Sequence, residues 1–134
     1  MTEGQETELG EEQALATGSK APGVPPPKNN FMIVGTWDDW KSKHKMQWDA
    51  DLHGFFYDVE LGSNHRGLPE ESFQLLQGGD WKKAVYPDKP DACPFVRHVL
   101  CGPDSRGHGC NWTIGKHPRA KGAKGEVYRV CLTL

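Results

Sequence analysis

The stretch Phe31-Met32-Ile33-Val34-Gly35-Thr36-Trp37-Asp38-Asp39-Trp40 carries the key to this chain. Its first four residues are apolar and strand-forming, and they are too few for a helix. Ile33 and Val34 are β-branched and suit a pleated, packed surface. Gly35 ends the run and lets the backbone turn with no side chain in the way. A polar loop follows, carrying two large rings, Trp37 and Trp40, with Asp38 and Asp39 between them. A buried strand accounts for the first half of the stretch. Two tryptophans in a polar loop ask for a further explanation.

Working outward, Lys45 to Trp48 reads as a short second strand and Asp49 to Gly54 as a turn rich in Asp and Gly. Phe55 to Leu61 is the clearest strand, with Phe55, Tyr57, Val59 and Leu61 on one face and Phe56, Asp58 and Glu60 on the other. After a loop from Gly62 to Pro69 comes Glu71 to Gln77, which Gly78-Gly79 turns into Asp80 to Val85 as a hairpin. Val96 to Cys101 and Cys110 to Ile114 are shorter strands. The second of these is expected to pair with the last strand, Gly125 to Leu134, across a basic loop holding Lys116, His117, Arg119, Lys121 and Lys124. Short strands with turn signals between them, and no long helical pattern, predict an all-β antiparallel β-sandwich.

Residues 1–29 lack the makings of a core. They hold five glutamates and the run Pro25-Pro26-Pro27, and are expected to form a disordered acidic, proline-rich tail before a single domain over 30–134. The 134-residue chain carries a net charge of only −2, which excludes a strong general affinity for nucleic acid. It contains no apolar stretch of about 20 residues, so no transmembrane helix is expected. The acidic start Met1-Thr2-Glu3-Gly4 is unlike a secretory signal, and the expected setting is intracellular, cytoplasmic or plastid.

Cys93, Cys101, Cys110 and Cys131 form no C-x-x-C pair, so reduced thiols are expected and neither a metal nor another cofactor is assigned. No Ser-His-Asp order, phosphate loop or H-E-x-x-H motif is present. Asp38 and Asp39 are adjacent and are read as turn residues, not as a catalytic carboxylate pair. No catalytic residue is assigned and the chain is expected to be noncatalytic.

Two motifs carry a family resemblance. Val34-Gly35-Thr36-Trp37-Asp38-Asp39-Trp40 resembles the "GTFNNW" signature of glycogen- and starch-binding modules. Phe73-Gln74-Leu75-Leu76-Gln77-Gly78-Gly79-Asp80-Trp81 lines up without gaps on "YKFFVDGQW". The pattern is that of carbohydrate-binding module family 48, as in the β subunit of the AMP-activated kinase, and it covers residues 30–90. The resemblance implies an immunoglobulin-like sandwich that binds α-glucan. Trp40 and Trp81 would stack on sugar rings, whose C–H faces match flat aromatics. Gln74 stands where the family has a lysine that bonds a hydroxyl, and Asn111 is the candidate for its late asparagine. Trp37, in place of the family's phenylalanine, is expected in the core; Trp48 is expected in the core or half-buried, and Trp112 packed. Residues 88–124 depart from the pattern as an insertion. The alternative reading is a sandwich that no longer binds sugar and serves as an interaction module or accessory subunit in a larger protein assembly.

Overall fold

The computed structural model describes residues 30–134; the expected tail, 1–29, lies outside them. Nine strands are described: β1 (Phe31–Gly35), β2 (His44–Lys45), β3 (Gln47–Asp49), β4 (Gly54–Glu60), β5 (Glu71–Gln77), β6 (Ala84–Pro87), β7 (Leu100–Asp104), β8 (Trp112–Ile114) and β9 (Val127–Thr133). No α-helix occurs among the described residues, and none is long and apolar enough to cross a membrane. The strands form two antiparallel sheets. One has the order β2-β1-β5-β6-β7, with β8 also paired to β5, and the other has the order β3-β4-β9.

The all-β sandwich follows from the alternation of side chains. Phe31 and Ile33 of β1, Phe73 and Leu75 of β5, Phe55 and Val59 of β4, and Tyr128, Val130 and Leu132 of β9 meet in one core between the sheets. Each is at most 8% exposed. Phe31 contacts Phe55 across the sheets, ring centroids 5.4 Å apart, and Phe73 stacks on Trp112 at 5.5 Å. Trp112 is fully buried, and its indole N–H donates to His98 Nε2 at 3.2 Å. His98 Nδ1 lies 2.6 Å from the Val96 carbonyl. A carbonyl only accepts, so Nδ1 carries the proton and Nε2 is left to accept from the tryptophan.

Four local expectations are corrected. Lys45 to Trp48 is not one strand: β2 pairs with β1 and β3 with β4, in different sheets. Met46, 1% exposed, drops into the core where the chain crosses between them, and its N–H bonds Phe31 O at 3.0 Å. Asp80 to Val85 does not run straight. Asp80 Oδ1 accepts from Lys82 N at 2.9 Å and caps a 3₁₀ turn over Trp81–Lys83, so β6 starts at Ala84. Val96 to Cys101 is not strand throughout: a turn closed by Val96 N to Cys93 O ends at Val96, and residues 97–99 are irregular. The strand begins at Leu100, where β6 offers partners.

The fourth correction is the partner of β8. It pairs with β5, Ser72 opposite Thr113 and Phe73 opposite Trp112, and not with β9 in the other sheet. Burying the Trp112 ring against Phe73 fixes that choice. Trp37 also differs from expectation: it is half-buried at the rim of the core, stacked on Tyr57 at 6.2 Å. Trp48 is half-buried as well, edge-on to Phe55.

Glu71 begins β5 on the inward parity and is 1% exposed. A carboxylate there must be fully bonded. Its Oε2 accepts from the backbone N–H groups of Gly62 (2.9 Å), Ser63 (2.9 Å) and Asn64 (3.2 Å) and from Asn64 Nδ2 (2.9 Å). Its Oε1 accepts from the Thr36 hydroxyl at 2.7 Å, and that hydroxyl accepts from Ser72 N. One buried charge thus ties the loop after β4 and the turn after β1 to the same strand.

Candidate functional site

The outward face of the first sheet is built from the residues that alternate with the core: Val34 on β1, Gln74 and Leu76 on β5, Ala84 and Tyr86 on β6. Val34, Leu76, Ala84 and Tyr86 form a second buried cluster, against which Trp40, Cys101 and Cys110 pack. Apolar residues on both faces of a sheet require a cover on each side. Here the loop after β1 and the segment after β7 supply the second cover.

Trp40 is brought there by an unusual turn. After the 3₁₀ turn Thr36–Asp38, both Asp39 and Trp40 adopt left-handed backbone, each with φ 63°. For a bulky residue this costs about 1–2 kcal/mol. The bond from Trp40 N to Gly35 O, 2.9 Å, and the packing of the indole on the outer cluster offset it. Trp40 is therefore half-buried, not freely exposed. Trp81, on its capped turn after the left-handed pair Gly78 and Gly79, is 45% exposed.

Gln74 is 4% exposed, and its surroundings fix its orientation. Its Nε2 faces the carbonyls of Gly107 (2.6 Å) and Cys110 (2.9 Å), which can only accept. The same nitrogen donates toward Asn111 Oδ1 at 3.0 Å, which turns the Asn111 Nδ2 donors away from Gln74. The Gln74 amide N–H groups hold the segment 107–111 in place, and Oε1 is what remains for a ligand.

The same segment is braced at its start. The Tyr86 hydroxyl donates to Asp104 Oδ1 at 2.6 Å, and Arg106 adds bonds from its backbone N (2.8 Å) and Nη2 (3.2 Å). The tyrosine bond holds Asp104 below the ordinary carboxylate range and raises the Tyr86 phenol. Gly107 lies against the Tyr86 ring so closely that a Cβ there would sit 2.4 Å from it, which explains a glycine at this point.

Trp40, Gln74, Trp81 and Asn111, the four residues singled out in the sequence, line one cleft of about 600 Å³ together with Lys82, Ala84, Ser105, Gly107, His108 and Gly109. Its chemistry is two indole rings, an amide acceptor, an amide donor, a hydroxyl and two basic side chains. Sequence reasoning missed Lys82, Ser105 and His108. Lys82 adjoins the recognised motif, whereas Ser105 and His108 lie in a Gly-rich segment with no local signal. Among the described residues, no group of three or more His, Cys, Asp or Glu side chains is arranged to hold a metal. None of the four cysteines is in a disulfide; Cys93 and Cys131 are buried, Cys101 and Cys110 half-buried. In comparisons with known proteins, no family model, no curated protein and no solved structure matches this chain.

Proposed function

We propose that the cleft binds an α-glucan chain without catalysing its conversion, in the manner of carbohydrate-binding module family 48 and on an immunoglobulin-like sandwich. The observation that carries the reading is convergence: four residues drawn from three separate segments line a single cleft. Trp81 offers an open ring for a sugar face, and Trp40 offers the exposed part of its indole. Asn111 Nδ2 donates to one hydroxyl and Gln74 Oε1 accepts from another. The volume falls within the range of small-ligand sites and suits a short run of sugar units.

The test is titration of a soluble maltooligosaccharide with tryptophan fluorescence as readout, alongside co-sedimentation with insoluble starch or glycogen and competition by cyclic glucans. Saturable binding that cyclic glucans compete away is the expected result. No binding at millimolar sugar sinks the reading. The interaction-module alternative would then take its place, supported by the exposed Val99 (60%) and Phe95 (39%) on the inserted segment.

A further inference from the structure

The cleft carries charge that a neutral sugar does not require. Its ionisable lining residues are Lys82 and His108, and no carboxylate lines it. The acidic residues nearest in the chain are already engaged. Asp80 Oδ1 caps the Trp81–Lys83 turn, and both oxygens of Asp104 accept from Tyr86 or Arg106. Lys82 and His108 are both exposed, and among the described residues neither has a carboxylate partner. Hydroxyls are served without them, by Ser105, by Asn111 Nδ2 and by Gln74 Oε1. One unpaired ammonium and an imidazole donor beside two stacking rings are complementary to a ligand that is part flat sugar face, part anion.

We infer that the preferred ligand of this cleft is an α-glucan bearing phosphate monoesters, with Lys82 and His108 as the phosphate contacts; the inference rests on the glucan reading above. A phosphate monoester carries about −1.5 to −2 charges at neutral pH and three strong acceptor oxygens, which an ammonium on a flexible stem meets as a point charge. Lys82 is well placed for this because its backbone is fixed by the Asp80 cap while its side chain stays free beside Trp81. A phosphate on the sugar bound at Trp81 therefore lies within reach of the adjacent residue.

The experiment uses the full chain and two soluble maltodextrin preparations: one carrying phosphate monoesters, and the same material after phosphatase treatment. Inorganic phosphate and adenosine monophosphate are separate probes. The phosphorylated preparation is expected to bind about two- to fivefold more tightly, as for one partly exposed ion pair, with the ratio shrinking at high salt. Lys82→Gln, which keeps a donor and removes the charge, brings the ratio toward one, and His108→Gln lowers it independently. Trp81→Ala weakens both preparations alike and keeps the ratio. Equal affinity of the unmodified protein for the two preparations overturns the inference and leaves the glucan reading standing. No binding of either preparation overturns both. Inorganic phosphate or adenosine monophosphate binding as tightly as the phosphorylated glucan, indifferent to Trp81→Ala, shows a general anion site and overturns the inference.

Discussion

The two faces of β5 make the sharpest contrast in this molecule. Phe73 and Leu75 point inward and Gln74 and Leu76 outward, and all four are at most 4% exposed. Burial alone does not tell the faces apart; what covers them does. The inner face is covered by the second sheet, a dry surface of aromatic and branched side chains. The outer face is covered by two loops whose backbone carbonyls must be satisfied, so one position in that face is an amide. A sheet-on-sheet cover yields stability, and a loop cover held by polar bonds leaves a cleft at its margin.

The largest effect is expected on the inner face. Phe73→Ala removes a fully buried ring stacked on Trp112 and should cost about 3–5 kcal/mol of unfolding free energy, read by denaturant melts. A loss under about 1 kcal/mol would show that the inner face is not the main source of stability.

Glu71 tests the rim between the faces. Glu71→Gln cannot accept from all of its donors and should cost about 1.5–3 kcal/mol, with faster amide exchange at Ser63 and Asn64 in hydrogen-exchange spectra. Unchanged exchange at those amides would mean that the carboxylate does not hold the loop.

On the outer face, Gln74→Lys places an ammonium where two carbonyls and an amide oxygen converge on a neutral NH₂. Lengthening the side chain in this nearly closed site should displace segment 107–111. The expected outcome is a stability loss of about 1–3 kcal/mol together with weaker glucan binding, although a lysine at this position matches the resembled family. Tighter binding by this variant would show that position 74 addresses the ligand and not the loop. Trp81→Ala is the cleaner probe of function. It should lose about 1–3 kcal/mol of glucan binding, by analogy with aromatic stacking on flat rings, while stability stays within about 0.5 kcal/mol. The half-buried Trp40 should cost both stability and binding when cut to alanine.

The smallest effect is with pH. Asp104 and Asp91 both lie below their ordinary range, Asp104 chiefly through the Tyr86 hydroxyl and Asp91 chiefly through Lys116 at 2.8 Å. A depressed folded value means that their stabilisation is complete above the ordinary carboxylate pKa of about 4. It is lost as pH falls through the lower folded value. Melting temperatures should therefore fall with acid below about pH 4, and Asp104→Asn should flatten part of that slope. An unaltered slope in the variant would remove the Tyr86–Asp104 bond from this account.

Local pattern was legible wherever one residue's neighbours in sequence settle its environment. Period-two alternation gave the faces of β4, and the run before Gly35 gave β1 and the turn after it. Trp40, Gln74 and Trp81 were chosen from two short motifs and Asn111 by its character alone; the four line one cleft. Short range was also where the reading failed. Lys45 to Trp48 alternates like one strand, yet the chain changes sheets at Met46, because a long apolar side chain at a crossing can enter the core from either sheet.

What the sequence by itself determined is the class of structure: strand-length apolar runs and turn residues are local properties, and together they require two sheets around one core. Only the tertiary structure decided which strands pair and what each polar group does. The pairing of β8 with β5 joins residues about forty positions apart, and a strand edge presents the same N–H and C=O row to any partner. The role of Gln74 was decided the same way. Whether an amide serves a ligand or a loop depends on which acceptors stand around it, and those acceptors, Gly107, Cys110 and Asn111, are brought to it only by the fold.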